Sequence, residues 1–250
     1  MNHELKVEKQ QAGNGVRIEK TFDRFTLGQR WEHLLVLVSV GVLILTGLPQ
    51  KYRGAEWSQQ ILSTPERLDS IRQVHHFAAI ILLLVGLYHV GHNLYLLLKR
   101  SLPADIFPDR DDFRDAWGMI KYLLFFSREK PSYWKYNFEQ KFTYWFIFIT
   151  LAVMGVTGII IWFPIPVTQL LPGAVIPASK LAHSTEAIVL TVFILIWHVY
   201  HVHLERLNLS IFNGRLSETE MRENHALEYE RILKENENIP GPQEKEIEAG

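Results

Sequence analysis

Residues Val74–Leu98 read VHHFAAIILLLVGLYHVGHNLYLLL, and this stretch decides the fold. It contains no Asp, Glu, Lys or Arg, yet it carries four histidines. A hydrocarbon layer of roughly 30 Å needs about 20 mostly apolar residues per spanning helix. Working outward, His33–Leu48, Thr143–Phe163 and Leu181–His203 pass the same test. The first is the shortest and extends toward Leu27 or Lys51. The average of 48% hydrophobic and 21% charged residues therefore hides a segregated chain, with charges in blocks between apolar runs. The pattern predicts an all-α integral membrane four-helix bundle, with a spanning domain over residues 31–216.

The connections set its expected orientation. Lys and Arg number six before the first span, four in Gln50–Gln73, nine in Lys99–Lys141, one in Pro164–Lys180 and six in the tail. Basic residues collect on the cytoplasmic side, so both termini and the long second connection are predicted there, in a prokaryotic cytoplasmic (inner) membrane. Residues 1–30 read as a cytoplasmic arm with a short surface helix before the first span, and 217–250 as a polar cytoplasmic tail. In that tail a helix over Glu218–Leu233 precedes a flexible end. Asp115–Phe126 (DAWGMIKYLLFF) is amphipathic and is expected to lie along the cytoplasmic face. Met1–Lys20 lacks the apolar core of a signal peptide, so the first span is read as retained.

Several chemistries are excluded. The chain has no cysteine, which rules out disulfides, cysteine-ligated iron–sulfur clusters and covalent haem attachment. There is no GxGxxG or P-loop for a nucleotide, and no internal repeat is read. A net charge of −1 gives no electrostatic footprint for nucleic acid.

The histidines carry the chemistry. Of eleven, nine lie in or at the ends of predicted spans: His33, His75, His76, His89, His92, His183, His198, His201 and His203. Ionisable side chains are costly in hydrocarbon and face the bundle interior. At about 100° and 1.5 Å per residue, His75 and His89 differ by roughly 40° in direction and about 21 Å in height. His183 and His198 differ by roughly 60° and about 22 Å. Two helices that each carry a histidine near both membrane faces can hold two stacked haems, each iron taking one imidazole from each helix. Such six-coordinate iron suits electron transfer rather than ligand chemistry. His75 aligns with His89 better than its neighbour His76, which is left a hydrogen-bonding role. His92 and His203 read as residues at the membrane surface.

Further anchors are Arg30-Trp-Glu-His33, Lys135-Tyr-Asn-Phe-Glu-Gln-Lys141, Thr157-Gly-Ile-Ile-Ile-Trp-Phe-Pro164, and His183 with His198. On these the chain, from about Phe22 to Ser217, resembles the membrane cytochrome b (gamma) subunit of respiratory formate dehydrogenases and related cytochrome b subunits. The resemblance implies a haem b near the periplasmic face ligated by His75 and His183, and a second near the cytoplasmic face ligated by His33 and His198. It implies menaquinone bound by the segment Tyr136–Gln140, where Asn137 and Gln140 could hold a quinone carbonyl, although Asn137 would equally serve as a helix cap. It also implies a periplasm-facing redox partner, either a dehydrogenase iron–sulfur subunit or a multihaem cytochrome.

His89 and His201 depart from that pattern. The inner haem could use His89 with His198, or His33 with His198; if both kinds of pair form, with His201 completing one, the chain holds three haems. The expected function is electron transfer between a quinone site at the cytoplasmic face and a redox partner at the periplasmic face, as one subunit of an oxidoreductase complex. The rivals are a haem-free membrane anchor or scaffold subunit and a transporter of a divalent metal.

Overall fold

The computed structural model describes residues 5–12, 15–102, 104–129, 131–200 and 209–237. Four helices are long and apolar enough to cross a membrane: α1 (Leu27–Lys51), α3 (Pro65–Leu98), α5 (Phe138–Trp162) and α7, which runs Val175–Val192 and continues as a π-helical turn over Phe193–His198. Few of their residues are buried within the chain, and large apolar side chains such as Leu45, Leu84 and Leu87 point outward. In water that surface would be a large aggregation liability; in a bilayer it is the solvated face. The expectation of an all-α membrane bundle holds. Short helices α2 (Glu56–Ile61) and α6 (Pro164–Leu170) follow the first and third spans.

The spanning helices begin earlier than the apolar runs alone predict, because local chemistry places the boundaries. Thr64 caps α3 by accepting from Arg67 N at 3.3 Å, and Pro65 fills the first helical position, where no amide donor is needed. Pro164 opens α6 in the same way, directly after α5 ends at Trp162. The 34 residues of α3 span about 51 Å, well beyond the hydrocarbon thickness, so this helix tilts or protrudes.

The chain divides into two compact units, one made of Leu27–Leu102 and Tyr144–Ile211, the other of Met1–Thr26, Pro103–Thr143 and Phe212–Gly250. In the second, the N-terminal arm forms a hairpin, β1 (Leu5–Ala12) and β2 (Gly15–Asp23), and among its described residues the expected surface helix does not form. Strand β3 (Arg215–Ser217) adds to β2 with Phe22 opposite Leu216. After helix α8 (Ser210–Asn213), the tail supplies that strand and two helices, α9 (Glu218–Asn224) and α10 (Ala226–Glu237), where one helix was expected. Ser217 caps α9 with Glu220, and the break falls at His225, whose Nδ1 meets Trp134 O at 2.8 Å. Phe22, Leu216, Met221 and Ile232 form a small core packed by Tyr229. Each such side chain contributes roughly 1.5–3 kcal/mol of apolar burial.

The amphipathic segment is a helix, α4 (Arg110–Leu123), beginning five residues earlier than expected. Asp109 and Asp112 make a capping box at its start. Lys141 Nζ holds both carboxylates, at 3.0 Å from Asp109 and 2.9 Å from Asp112. Hydrogen bonding from Lys141 keeps the Asp109 carboxyl below its ordinary range. Phe113, Trp117 and Leu123 stand exposed along α4.

Candidate functional site

The membrane unit brings the predicted histidines together in pairs. The rings of His75 on α3 and His183 on α7 have centres 6.5 Å apart. The rings of His33 on α1 and His198 on α7 have centres 6.3 Å apart. Two imidazoles binding one metal from opposite sides through Nε2, at about 2.0–2.1 Å each, have centres roughly 6–6.5 Å apart. Both pairs have that separation. Among the described residues no three His, Asp or Glu side chains converge as a bare metal ion would require. Two-ligand sites of this kind need a macrocycle to complete the coordination, which fits haem.

The neighbours of the first pair fix its tautomers. Thr157 Oγ1 donates to Val153 O at 2.7 Å, so its single proton is committed to its own helix. His183 Nδ1 lies 3.1 Å from that hydroxyl and 3.1 Å from the carbonyl of Met154. A carbonyl only accepts, so Nδ1 carries the hydrogen and Nε2 keeps the lone pair a metal needs. His75 repeats the arrangement: Thr46 Oγ1 donates to Val42 O at 2.7 Å, and His75 Nδ1 lies 2.9 Å from it. Beside each threonine a glycine lets the ring approach. A Cβ on Gly47 would sit 3.3 Å from His75 Cε1, and one on Gly158 would sit 3.2 Å from His183 Cε1. Thr46, Gly47 and Thr157 were not among the expected site residues. The recurring Thr-Gly dipeptide was the signal that could have found them.

His198 is brought to its place by the π-helical turn. A π turn takes up one extra residue, so His198, fifteen positions beyond His183, keeps the direction an α-helix gives at fourteen. The 60° offset expected from a regular helix does not apply.

His89 is differently placed. Its Nδ1 lies 2.7 Å from Glu32 Oε2, and its Nε2 lies 2.8 Å from Tyr144 OH and 3.0 Å from Asn93 Nδ2. A carboxylate accepts and an amide NH2 donates, so Nδ1 carries the hydrogen. The Nε2 lone pair is then taken by Asn93 and the tyrosine. Both ring nitrogens are engaged by protein. His76 stacks on Trp162 at 4.1 Å and His92 on Tyr88 at 5.8 Å, so neither joins a facing pair. His201 and His203 lie outside the described residues.

Asn137 and Gln140 sit in the other unit, at the start of α5. Asn137 Oδ1 accepts from Gln140 N at 2.8 Å, and Gln140 Oε1 faces Asn137 N at 3.4 Å, which together cap the helix. Gln140 Oε1 also accepts from Arg24 Nη2 at 3.1 Å. The amide NH2 groups of both side chains make no hydrogen bond among the described residues. Arg24 is buried and lies 5.0 Å over the Tyr136 ring. Burial lowers the Arg24 and Lys135 pKa values and raises that of the Tyr136 phenol, so Tyr136 stays protonated at neutral pH.

Four apolar spans enclosing two facing imidazole pairs, one of them poised by hydrogen bonds to Nδ1, define a membrane b-type cytochrome. The chain belongs to the prokaryotic cytochrome b561 family, whose model matches residues 24–211. It is accordingly a multi-pass haem b protein of electron transport in the prokaryotic inner membrane. It is 28% identical over 186 residues to the formate dehydrogenase cytochrome b556(fdo) subunit of Escherichia coli K12, covering 72% of this chain and 78% of that protein. It is 26% identical over 206 residues to the nitrate-inducible cytochrome b556(Fdn) subunit of the same strain, covering 81% and 87%. A Haemophilus influenzae formate dehydrogenase cytochrome b556 subunit is 26% identical over 182 residues; the chain spans 66% of that protein's length.

Proposed function

We propose that this chain is the two-haem membrane subunit of a respiratory oxidoreductase of the formate dehydrogenase type, passing electrons between a periplasm-facing iron–sulfur partner and menaquinone. The observation that carries the reading is the pair of imidazole pairs at metal-sharing separation, 6.5 and 6.3 Å. Bis-histidine haem supplies one-electron transfer with no open coordination position. His75 and His183 hold the haem toward the periplasmic face, and His33 and His198 hold the one toward the cytoplasm, with both termini on the cytoplasmic side. Thr46, Thr157 and the Met154 carbonyl keep Nδ1 protonated and aim Nε2 inward. His89 does not ligate, because its nitrogens are occupied.

The quinone is assigned to the start of α5. The free amide NH2 groups of Asn137 and Gln140 donate to a quinone carbonyl, and Arg24 and Tyr136 line the same segment. Helix α4 lies at the headgroup level, with Phe113, Trp117 and Leu123 inserted and Arg110, Arg114 and Lys121 on its flanks.

Pyridine haemochrome quantification per polypeptide tests the reading. Two haems b are expected in the natural protein, one in His75→Ala, and two in His89→Ala. Protein made with adequate haem supply that binds none would sink the proposal and leave a scaffold subunit.

A further inference from the structure

The contacts around the histidines expose a pattern that composition hides. Thr46-Gly47 stands thirteen residues after His33, and Thr157-Gly158 stands thirteen residues after Tyr144. His75 and His183 each follow a basic residue by three positions, Arg72 and Lys180. His33 and Tyr144 do likewise, after Arg30 and Lys141. Fourteen residues beyond His75 is His89; fifteen beyond His183 is His198, the extra residue being taken up by the π turn. The first hairpin (α1 and α3) thus corresponds to the second (α5 and α7) at these positions.

The geometry obeys the same exchange. Swapping α1 with α5 and α3 with α7 turns the Thr46–His75 contact of 2.9 Å into the Thr157–His183 contact of 3.1 Å. It returns the His75–His183 pair to itself. It turns the His33–His198 pair, 6.3 Å between ring centres, into Tyr144–His89, 6.1 Å between ring centres. Parallel repeats related by an axis along the membrane normal are an established way to build membrane proteins. Here one side of the bundle has a single self-paired site on that axis, and the other side has two equivalent positions off it.

We infer that the membrane unit is a duplicated helical hairpin, and that the His89–Tyr144 contact is a third bis-histidine haem position closed by the tyrosine. The phenol puts an oxygen where the partner imidazole would stand and bonds His89 Nε2 directly at 2.8 Å, leaving no room for a metal between the rings. Glu32 already gives His89 the support to Nδ1 that an axial histidine requires, at 2.7 Å. A mostly apolar groove of about 300 Å³ between α1 and α3, walled by Leu35, Leu84, Val85 and Tyr88, reaches Glu32, the carboxylate that supports His89. The histidine and its support are present; the second imidazole is not, and the Asn93 amide, 3.0 Å from His89 Nε2, has to turn aside for that nitrogen to ligate.

The inference rests on the two-haem reading, and one set of proteins tests them separately. Haem b per polypeptide and low-spin electron paramagnetic resonance signals are measured on monodisperse detergent-purified protein. The natural chain is expected to give two haems, Tyr144→His three, and Tyr144→His with His89→Ala two again. Natural protein with two haems and folded Tyr144→His that still gives two would overturn the closed third position while leaving the function intact. If Tyr144→His fails to fold, Tyr144→Gly supplied with free imidazole decides: a third low-spin haem supports a closed position, and a count that stays at two overturns it. Natural protein that holds no haem, or keeps two after His75→Ala, breaks the functional reading instead.

Discussion

The two imidazole pairs reach nearly the same separation by different means. His75 and His183 are each backed by a threonine hydroxyl and a glycine on a neighbouring helix, so their support comes from across the bundle. His198 owes its place to its own helix, whose π turn sets its direction. The first device fixes a tautomer and the second fixes a bearing. A membrane helix can therefore be tuned for a cofactor either by what touches it or by how it is wound.

Removing a ligand is the bluntest way to separate the pairs. His183→Ala and His198→Ala should each abolish one of two low-spin haem signals, and a different one in each case. Retention of both signals in either variant would break the pairing. A subtler break concerns winding. Deleting Leu195 should leave both haems in place, because a regular α-helix then presents the histidine at fourteen residues from His183. Inserting an alanine there should instead cost the His33–His198 haem. Absorbance at the haem band would report both.

Support by hydroxyl is the next contrast. Thr46→Val or Thr157→Val removes a hydrogen bond to Nδ1, making the imidazole a weaker donor to ferric iron. The midpoint potential of that haem should rise by roughly 20–60 mV, equivalent to ~0.5–1.5 kcal/mol per electron, while the other stays put. Serine at the same position should restore it. A potentiometric titration in which both haems move together would argue for a general loosening.

The last contrast concerns not the histidines but the ion pairs at the start of α5. Lys141→Met frees Asp109 and Asp112 and should lower thermal stability by about 1–3 kcal/mol at neutral pH. Because the Asp109 carboxyl is held below its ordinary value, that stabilisation is complete above the ordinary carboxylate range near 3.8 and fades as pH falls through the lowered value. The gap between natural and variant melting temperatures should therefore narrow in acid. A gap that persists unchanged would point to packing rather than charge.

The spans were legible because a bilayer imposes one length and one polarity on every crossing, and Val74–Leu98 satisfies both without reference to any neighbour. The pairing of His75 with His183 was legible from spacing together with the resemblance. The status of His89 was not, since it depends on Glu32 and Tyr144, 57 and 55 residues away. The N-terminal hairpin escaped for the same reason: β2 is completed by residues 215–217, and a polar strand advertises little by itself. The duplication was hidden because only the residues around the histidines retain it.

The committed hydroxyl proton of Thr157 has a consequence for assembly. Because it is spent on Val153 O, the hydroxyl can only accept, and the imidazole behind it is handed its proton on the outer nitrogen before any iron arrives. Loading the site then expels no proton from the axial nitrogens and asks for no rearrangement of the ring. Haem held as proposed by His75 and His183 would therefore be taken up near neutral pH without release of a ligand proton, unlike a thiolate site, where each ligand must first be stripped of its hydrogen.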